Sequence, residues 1–115
     1  MQSGRPTRFS NRYFSSRQEK AVAKAIGGKQ TSNSGATKWI KGDVHSTRTL
    51  IECKTVTKEQ KSFTIKREWL EKNQEEAFAM GKLFSALAID FGDGEQFYVI
   101  NQKMFNKLIE VLDAD

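Results

Sequence analysis

The chain has a single cysteine, Cys53. No internal disulfide can form, and a reducing, cytoplasmic setting is the expectation. No apolar run approaches the ~20 residues that a bilayer-spanning helix needs. The opening stretch "MQSGRPTRFSNRYF" carries Arg5, Arg8 and Arg12 with no apolar segment behind them, which does not read as a secretory signal. Internal repeats and low-complexity segments are absent as well. At 115 residues the chain suits one domain with one core, and is too short for two independently folding halves.

Acids are scarce in the first part of the sequence. Residues 1–67 hold 15 Lys or Arg against Glu19, Asp43, Glu52 and Glu59, a balance of +11. Residues 68–115 hold four Lys against ten acids, a balance of −6. This asymmetry predicts one strongly positive face, the electrostatic footprint of a polyanion binder.

Residues 1–14, polar and Arg-rich with Gly4 and Pro6, read as a flexible basic arm before a domain at 15–115. Ser15 or Ser16 can cap a first helix, with Glu19 placed as in a capping box and Ala21, Val22, Ala25 and Ile26 as its apolar stripe. Gly27-Gly28 ends it. "GKQTSNSGATKWIKG" reads as a short strand or turn region, and "GDVHSTRTLIECKT" as a hairpin. A second helix covers roughly residues 66–80, ended by Gly81. "LFSALAIDF" has the continuous apolar character of a central strand, "GDG" turns the chain, and "EQFYVIN" returns. "KMFNKLIEVL" closes as an amphipathic helix with Met104, Phe105, Leu108, Ile109 and Leu112 on one face. The predicted order is α-β-β-β-α-β-β-α.

The hairpin places acids where a strand ordinarily wants apolar residues. A turn centred between Thr47 and Arg48 sets Val44 against Ile51, His45 against Leu50, and Asp43 against Glu52. Alternation then gathers Asp43, Glu52 and Lys54 on one face and sends Val44, Ile51 and Cys53 to the other. Thr-Arg is not a preferred two-residue turn, so a longer loop and a shifted register stay open. Two close carboxylates repel unless a cation lies between them, and their oxygens suit a hard divalent ion such as Mg²⁺. Such an ion with an adjacent lysine supplies what phosphodiester hydrolysis needs.

Gly42-Asp43 followed by Glu52-Cys53-Lys54 resembles the bipartite signature of the PD-(D/E)XK nuclease superfamily, with Gly42 where the name-giving motif has Pro. "NSGATKWIKGD" resembles the Ser-Gly loop before the Asp in Holliday junction resolvases of that superfamily. Gln74 resembles a Gln that those resolvases carry on the second helix. The likeness spans roughly residues 15–91 and is nearest to small phage- and archaeal-type resolvases.

The resemblance implies an α/β restriction-endonuclease-like αβββαβ core, with a mixed sheet flanked by helices and an added strand and C-terminal helix. It implies Asp43 and Glu52 as metal ligands, the Cys53 backbone carbonyl as a further ligand, and Lys54 acting on the attacking water or the transition state. Glu19 would help hold the metal; as a capping-box residue it would not. Mg²⁺ is the implied cofactor, with Mn²⁺ able to substitute. DNA is the implied partner, branched or four-way in form, contacted by Arg5, Arg8, Arg12, Arg17, Ser34, Lys38, Lys41 and Gln74. Cutting two strands in register implies a homodimer, in the cytoplasm of a bacterial or phage-infected cell and not at a membrane. The alternatives are a restriction-like or repair nicking endonuclease, and a non-catalytic DNA-binding module with this fold. His45 reads as a solvated or packed residue and not a catalytic one; Trp39 and Trp69 read as core or rim packing, with DNA contact as the alternative for Trp39.

Overall fold

Helical periodicity, strand alternation and glycine stops set the elements in the order that the sequence predicts. The computed structural model describes residues 11–31 and 43–115. Among them are α1 (Asn11–Ile26), β1 (Lys29–Gln30), β2 (Val44–His45), β3 (Thr49–Thr55), α2 (Arg67–Ala79), β4 (Phe84–Asp90), β5 (Gln96–Val99) and α3 (Gln102–Leu112). The five strands form one mixed sheet in the order β1-β2-β3-β4-β5. β3 and β4 run parallel, with α2 as the crossover that parallel neighbours require. The other neighbouring pairs are antiparallel. The protein is therefore an α/β fold, and no described helix is long and apolar enough to cross a membrane.

α1 starts earlier than the sequence suggests. Asn11 to Ser16 lie within it, so residues 11–14 belong to the helix and not to the arm. Ser15 and Ser16 are interior positions and cap nothing. No Gly or Pro interrupts this stretch, and Phe14, Gln18 and Val22 fall at successive helical turns on one side of α1. The helix ends in a Schellman motif: Gly27 takes φ +66°, and the Gly28 amide donates to the Ala23 carbonyl at 2.8 Å. Gly28 also passes close to β2, where a Cβ would lie 2.5 Å from the His45 carbonyl oxygen. α2 ends in the same way, with Gly81 at φ +73° and the Lys82 amide on Ala77.

α1 covers one face of the sheet, where Val22 and Ala23 pack with Val44, Ile51, Ala86 and Ala88. Leu50, Leu87 and Ile89 are buried on the alternate face, under α2. Burying each such side chain contributes roughly 1.5–3 kcal/mol. A single amide from each helix pins the parallel pair. Gln18 Nε2 donates to the Lys54 and Ala88 carbonyls at 3.0 and 3.1 Å. Asn73 Nδ2 donates to those of Leu50 and Ala86 at 3.3 and 3.1 Å. The amphipathic α3 departs from the usual pattern: both sheet faces are already taken, and none of its residues is buried.

Candidate active site around Asp43 and Glu52

The hairpin register is the one that the alternation predicts, Val44 against Ile51 and His45 against Leu50. The turn closes tightly, with the Ser46 amide donating to the Thr49 carbonyl at 2.9 Å. One step before Val44 the ladder changes character. The Asp43 amide donates to the Ile51 carbonyl at 3.0 Å, and the Asp43 carbonyl accepts from the Thr31 amide at 2.9 Å. The Asp43 carboxylate then takes a backbone role. Its Oδ2 accepts from the Cys53 amide at 2.7 Å, the short distance of a charge-assisted bond. Asp43 is thus held beside β3 at the level of Cys53, between Glu52 and Lys54. The sequence places Asp43 opposite Glu52 in a regular ladder; the carboxylate–amide bond replaces that simple facing pair.

Lys54 Nζ pairs with Glu52 Oε2 at 3.3 Å, both side chains a little over a quarter exposed. The same ammonium lies 4.3 Å from the centroid of the Trp69 ring, and Lys66 Nζ is 5.9 Å from it. Trp69 comes from the first turn of α2. Glu19 approaches from α1 and accepts from Gln30 Nε2 at 3.3 Å. With Ser16 inside α1, Glu19 is not a capping-box residue, and it stands within electrostatic reach of the hairpin acids.

Electrostatics tie the three acids together. Burial raises the Glu19, Asp43 and Glu52 carboxyls above their ordinary range. Asp43 raises Glu19 and Glu52 further by repulsion. The Cys53 amide and the Lys54 charge oppose the rise at Asp43, and Lys54 opposes it at Glu52. The Cys53 thiol is pushed strongly up, by burial and then by Asp43, Glu19 and Glu52. Cys53 packs against the core beneath α1. His45 is lowered by burial, then by Lys82 and Lys29, and lies 3.3 Å from Thr31 Oγ1 through its Nδ1.

No three His, Cys, Asp or Glu side chains among the described residues form a ready-made metal-ligand group. A Mg²⁺ site does not require one, since this ion takes one or two carboxylates and completes its shell with water and phosphate. The donors here are hard oxygens: Asp43, Glu52 and the backbone at Cys53. The partial burial and mutual repulsion of the carboxyls are what a divalent cation would relieve, so the residues fit such an ion.

The remaining predicted site residues are dispersed. Arg17 lines a hollow of about 260 Å³ with Gln18, Asp90 and the Gly92–Gly94 turn. Gln74 lies on α2 facing the groove towards α3, with Phe78, Ser85 and Asn101 as neighbours, and is not brought to Asp43 and Glu52. That groove, about 1020 Å³, contains none of the hairpin acids. Arg5, Arg8, Ser34, Lys38 and Lys41 lie outside the described residues, as do Trp39, Gly42 and the side chain of Arg12. Sequence reasoning missed the part played by Trp69, read only as packing, and that of Gln18, which ties the Lys54 carbonyl to α1. A lysine two residues beyond a strand acid is visible in sequence, but the aromatic that meets it is set by how α2 docks. Comparison with protein-family models, with curated proteins and with solved structures finds no match to this chain.

Proposed function

We propose that the protein is a metal-dependent endodeoxyribonuclease of the PD-(D/E)XK type, acting on branched DNA such as a Holliday junction. One observation carries the reading. The Asp43 carboxylate accepts from the Cys53 amide, between Glu52 and Lys54; Glu52 pairs with Lys54, and Glu19 lies within electrostatic reach of both acids. The αβββαβ order up to β4, and the basic balance of residues 1–67, support it further.

In this reading Asp43, Glu52 and the Cys53 carbonyl would hold Mg²⁺, or Mn²⁺ in its place, with Glu19 helping to fix the ion or its water. When bound, the ion supplies charge stabilisation at the phosphate and lowers the pKa of an attacking water. Lys54 places positive charge where negative charge develops on the phosphate and orients the water. Glu52 and the Trp69 face hold the long Lys54 side chain in one position, which reduces the entropy lost on reaching the reactive geometry. The basic half of the chain supplies affinity for the phosphate backbone. A binding module alone would gain nothing from half-buried acids facing phosphates, because they lower affinity.

The test is cleavage of a labelled four-way junction beside a matched linear duplex, in Mg²⁺ and in EDTA, with wild type and Glu52→Gln. Metal-dependent, paired cuts in the junction alone, lost in the variant, are expected. Cutting of both substrates would keep the nuclease and remove the junction preference. Tight binding without cutting in any divalent metal would overturn the enzyme.

A further inference from the structure

The register of the sheet extends the candidate site sideways. Lys54 on β3 pairs with Ile89 on β4, and Ile89 with Phe97 on β5. The three side chains therefore form one row on the face that α2 covers. Strands lie ~4.8 Å apart, which sets Phe97 roughly 10 Å from Lys54 across the sheet. Ile89 is buried between them, while Phe97, on the edge strand, is 50% exposed. Its ring meets Phe91 at 5.7 Å, and Phe91 meets Phe63 at 5.8 Å, both in edge-to-face contact.

Phe63 belongs to the segment 56–66, which has no regular secondary structure. This segment carries Lys58, Lys61 and Lys66 against a single acid, Glu59, and all three lysines are exposed. Two contacts fix it beside the β4–β5 turn. The Gln60 amide donates to the Phe91 carbonyl at 2.9 Å. Gly92, at φ +104°, admits the Glu59 backbone so closely that a Cβ would lie 2.6 Å from the Glu59 Cα. Lysines and half-exposed rings are thereby held together at the end of the sheet that carries Lys54.

This combination selects its ligand. Duplex DNA offers phosphates to the lysines but keeps its base faces stacked inside. An unpaired strand offers both phosphates and free base faces, and proteins hold such strands with a basic surface and aromatic rings. Trp69 is less suited to stacking, because Lys54 and Lys66 already lie against its ring. We infer that Phe97 and the lysines of residues 56–66 bind an unpaired DNA strand beside the Asp43–Glu52 site, with a base stacked on Phe97 and phosphates against Lys58 and Lys61. The inference rests on the nuclease reading for its placement. It gives that reading a physical reason to favour branched DNA, where strands leave the duplex.

The experiment measures binding in EDTA by fluorescence anisotropy, with a short labelled oligothymidylate and a labelled duplex of equal length. Phe97→Leu keeps an apolar side chain and removes the ring. It is expected to weaken oligothymidylate binding about tenfold and to leave duplex binding unchanged. Phe97→Trp is expected to bind the single strand at least as tightly as wild type. Because Phe97 is half exposed, both variants should keep the wild-type far-UV spectrum. Lys58→Ala and Lys61→Ala should each reduce the salt slope on the single strand by ~0.7. A wild type that does not bind oligothymidylate would overturn the inference. So would a Phe97→Leu protein that binds it normally, equal losses on strand and duplex, or a Phe97→Trp protein no better than Phe97→Leu. Cleavage of the four-way junction in Mg²⁺ keeps the two ideas apart. A wild type that binds the strand as expected and cuts nothing would remove the nuclease and keep the binding site. A wild type that cuts, with Phe97→Leu binding normally, would do the reverse.

Discussion

Gln18 is 2% exposed, and its side-chain amide reaches the Lys54 and Ala88 carbonyls and Gln96 Oε1, the last at 2.9 Å. All three are oxygen acceptors. This fixes the orientation of the amide, for a flip would turn Gln18 Oε1 towards three oxygens. Oε1 itself is buried with no partner. Replacing Gln18 with Glu keeps the shape and removes the donors. At neutral pH a carboxylate would face only acceptors, so its folded pKa must lie above the unfolded value of ~4.3. We expect a loss of roughly 3–5 kcal/mol, the usual result of leaving a buried charge uncompensated. Gln18→Ala should lose less, roughly 2–4 kcal/mol: about 1 kcal/mol for each donor hydrogen, plus a cavity term. For a chain of this length that is a fall of roughly 4 °C in Tm per kcal/mol. The sign of the pH dependence follows by linkage. A carboxyl with a raised folded pKa carries no penalty below its unfolded pKa and gains one as pH rises through the folded pKa. The difference between Gln18→Glu and wild type should therefore shrink as pH falls towards ~4. Urea unfolding at several pH values measures it. A Gln18→Glu protein as stable as wild type at neutral pH, or a gap that widens on acidification, would refute the role given to this amide.

Asp43→Asn and Glu52→Gln should each melt higher than wild type in EDTA while abolishing cleavage, because burial raises both carboxyls and their ionised forms oppose folding. By the same linkage, the raised carboxyls make wild-type stability fall as pH rises from ~4 through their folded values, and each amide variant should flatten that slope. A lower Tm in EDTA would show the charges to be stabilising instead. Mg²⁺ should raise the melting temperature of wild type and not that of Asp43→Asn, and equal shifts would remove the metal from this site. Trp69→Leu should lower kcat about tenfold with KM for DNA unchanged, and Trp69→Phe should recover most of it, in line with a cation–π interaction of ~1–2 kcal/mol; a change in KM alone would make Trp69 a DNA-binding residue. Deleting residues 1–10 should weaken DNA binding and reduce the salt slope by ~0.9 for each phosphate that the arm neutralises, read from binding titrations in increasing salt. An unchanged slope would refute the basic arm.

The hairpin was legible because its information is local. Alternation in "DVHSTRTLIECK" favours a register that buries Val44 and Ile51, although the Thr-Arg turn left a shift open, and the structure adopts it. The two helix ends were legible for a similar reason, since Gly27 and Gly81 take the positive φ that other residues avoid. The start of α1 was not, because serines that can cap a helix are also tolerated within one, and only the path of the chain before Ser15 decides between the two.

The sequence by itself determined the period of each element, the order of the elements, and the presence of two acids and a lysine within one hairpin, and it favoured the register of β2 on β3 that the structure shows. Those properties depend on neighbours a few residues apart. The tertiary structure alone decided that the Asp43 carboxylate replaces a backbone acceptor for Cys53, that Trp69 meets Lys54, and that Glu19 turns towards the hairpin acids. It alone moved Gln74 to the groove beside α3 and left Phe105, Leu108, Val111 and Leu112 of α3 exposed. An amphipathic pattern states that a helix has a side to bury; which surface is still free to receive it is known only once the other helices have docked.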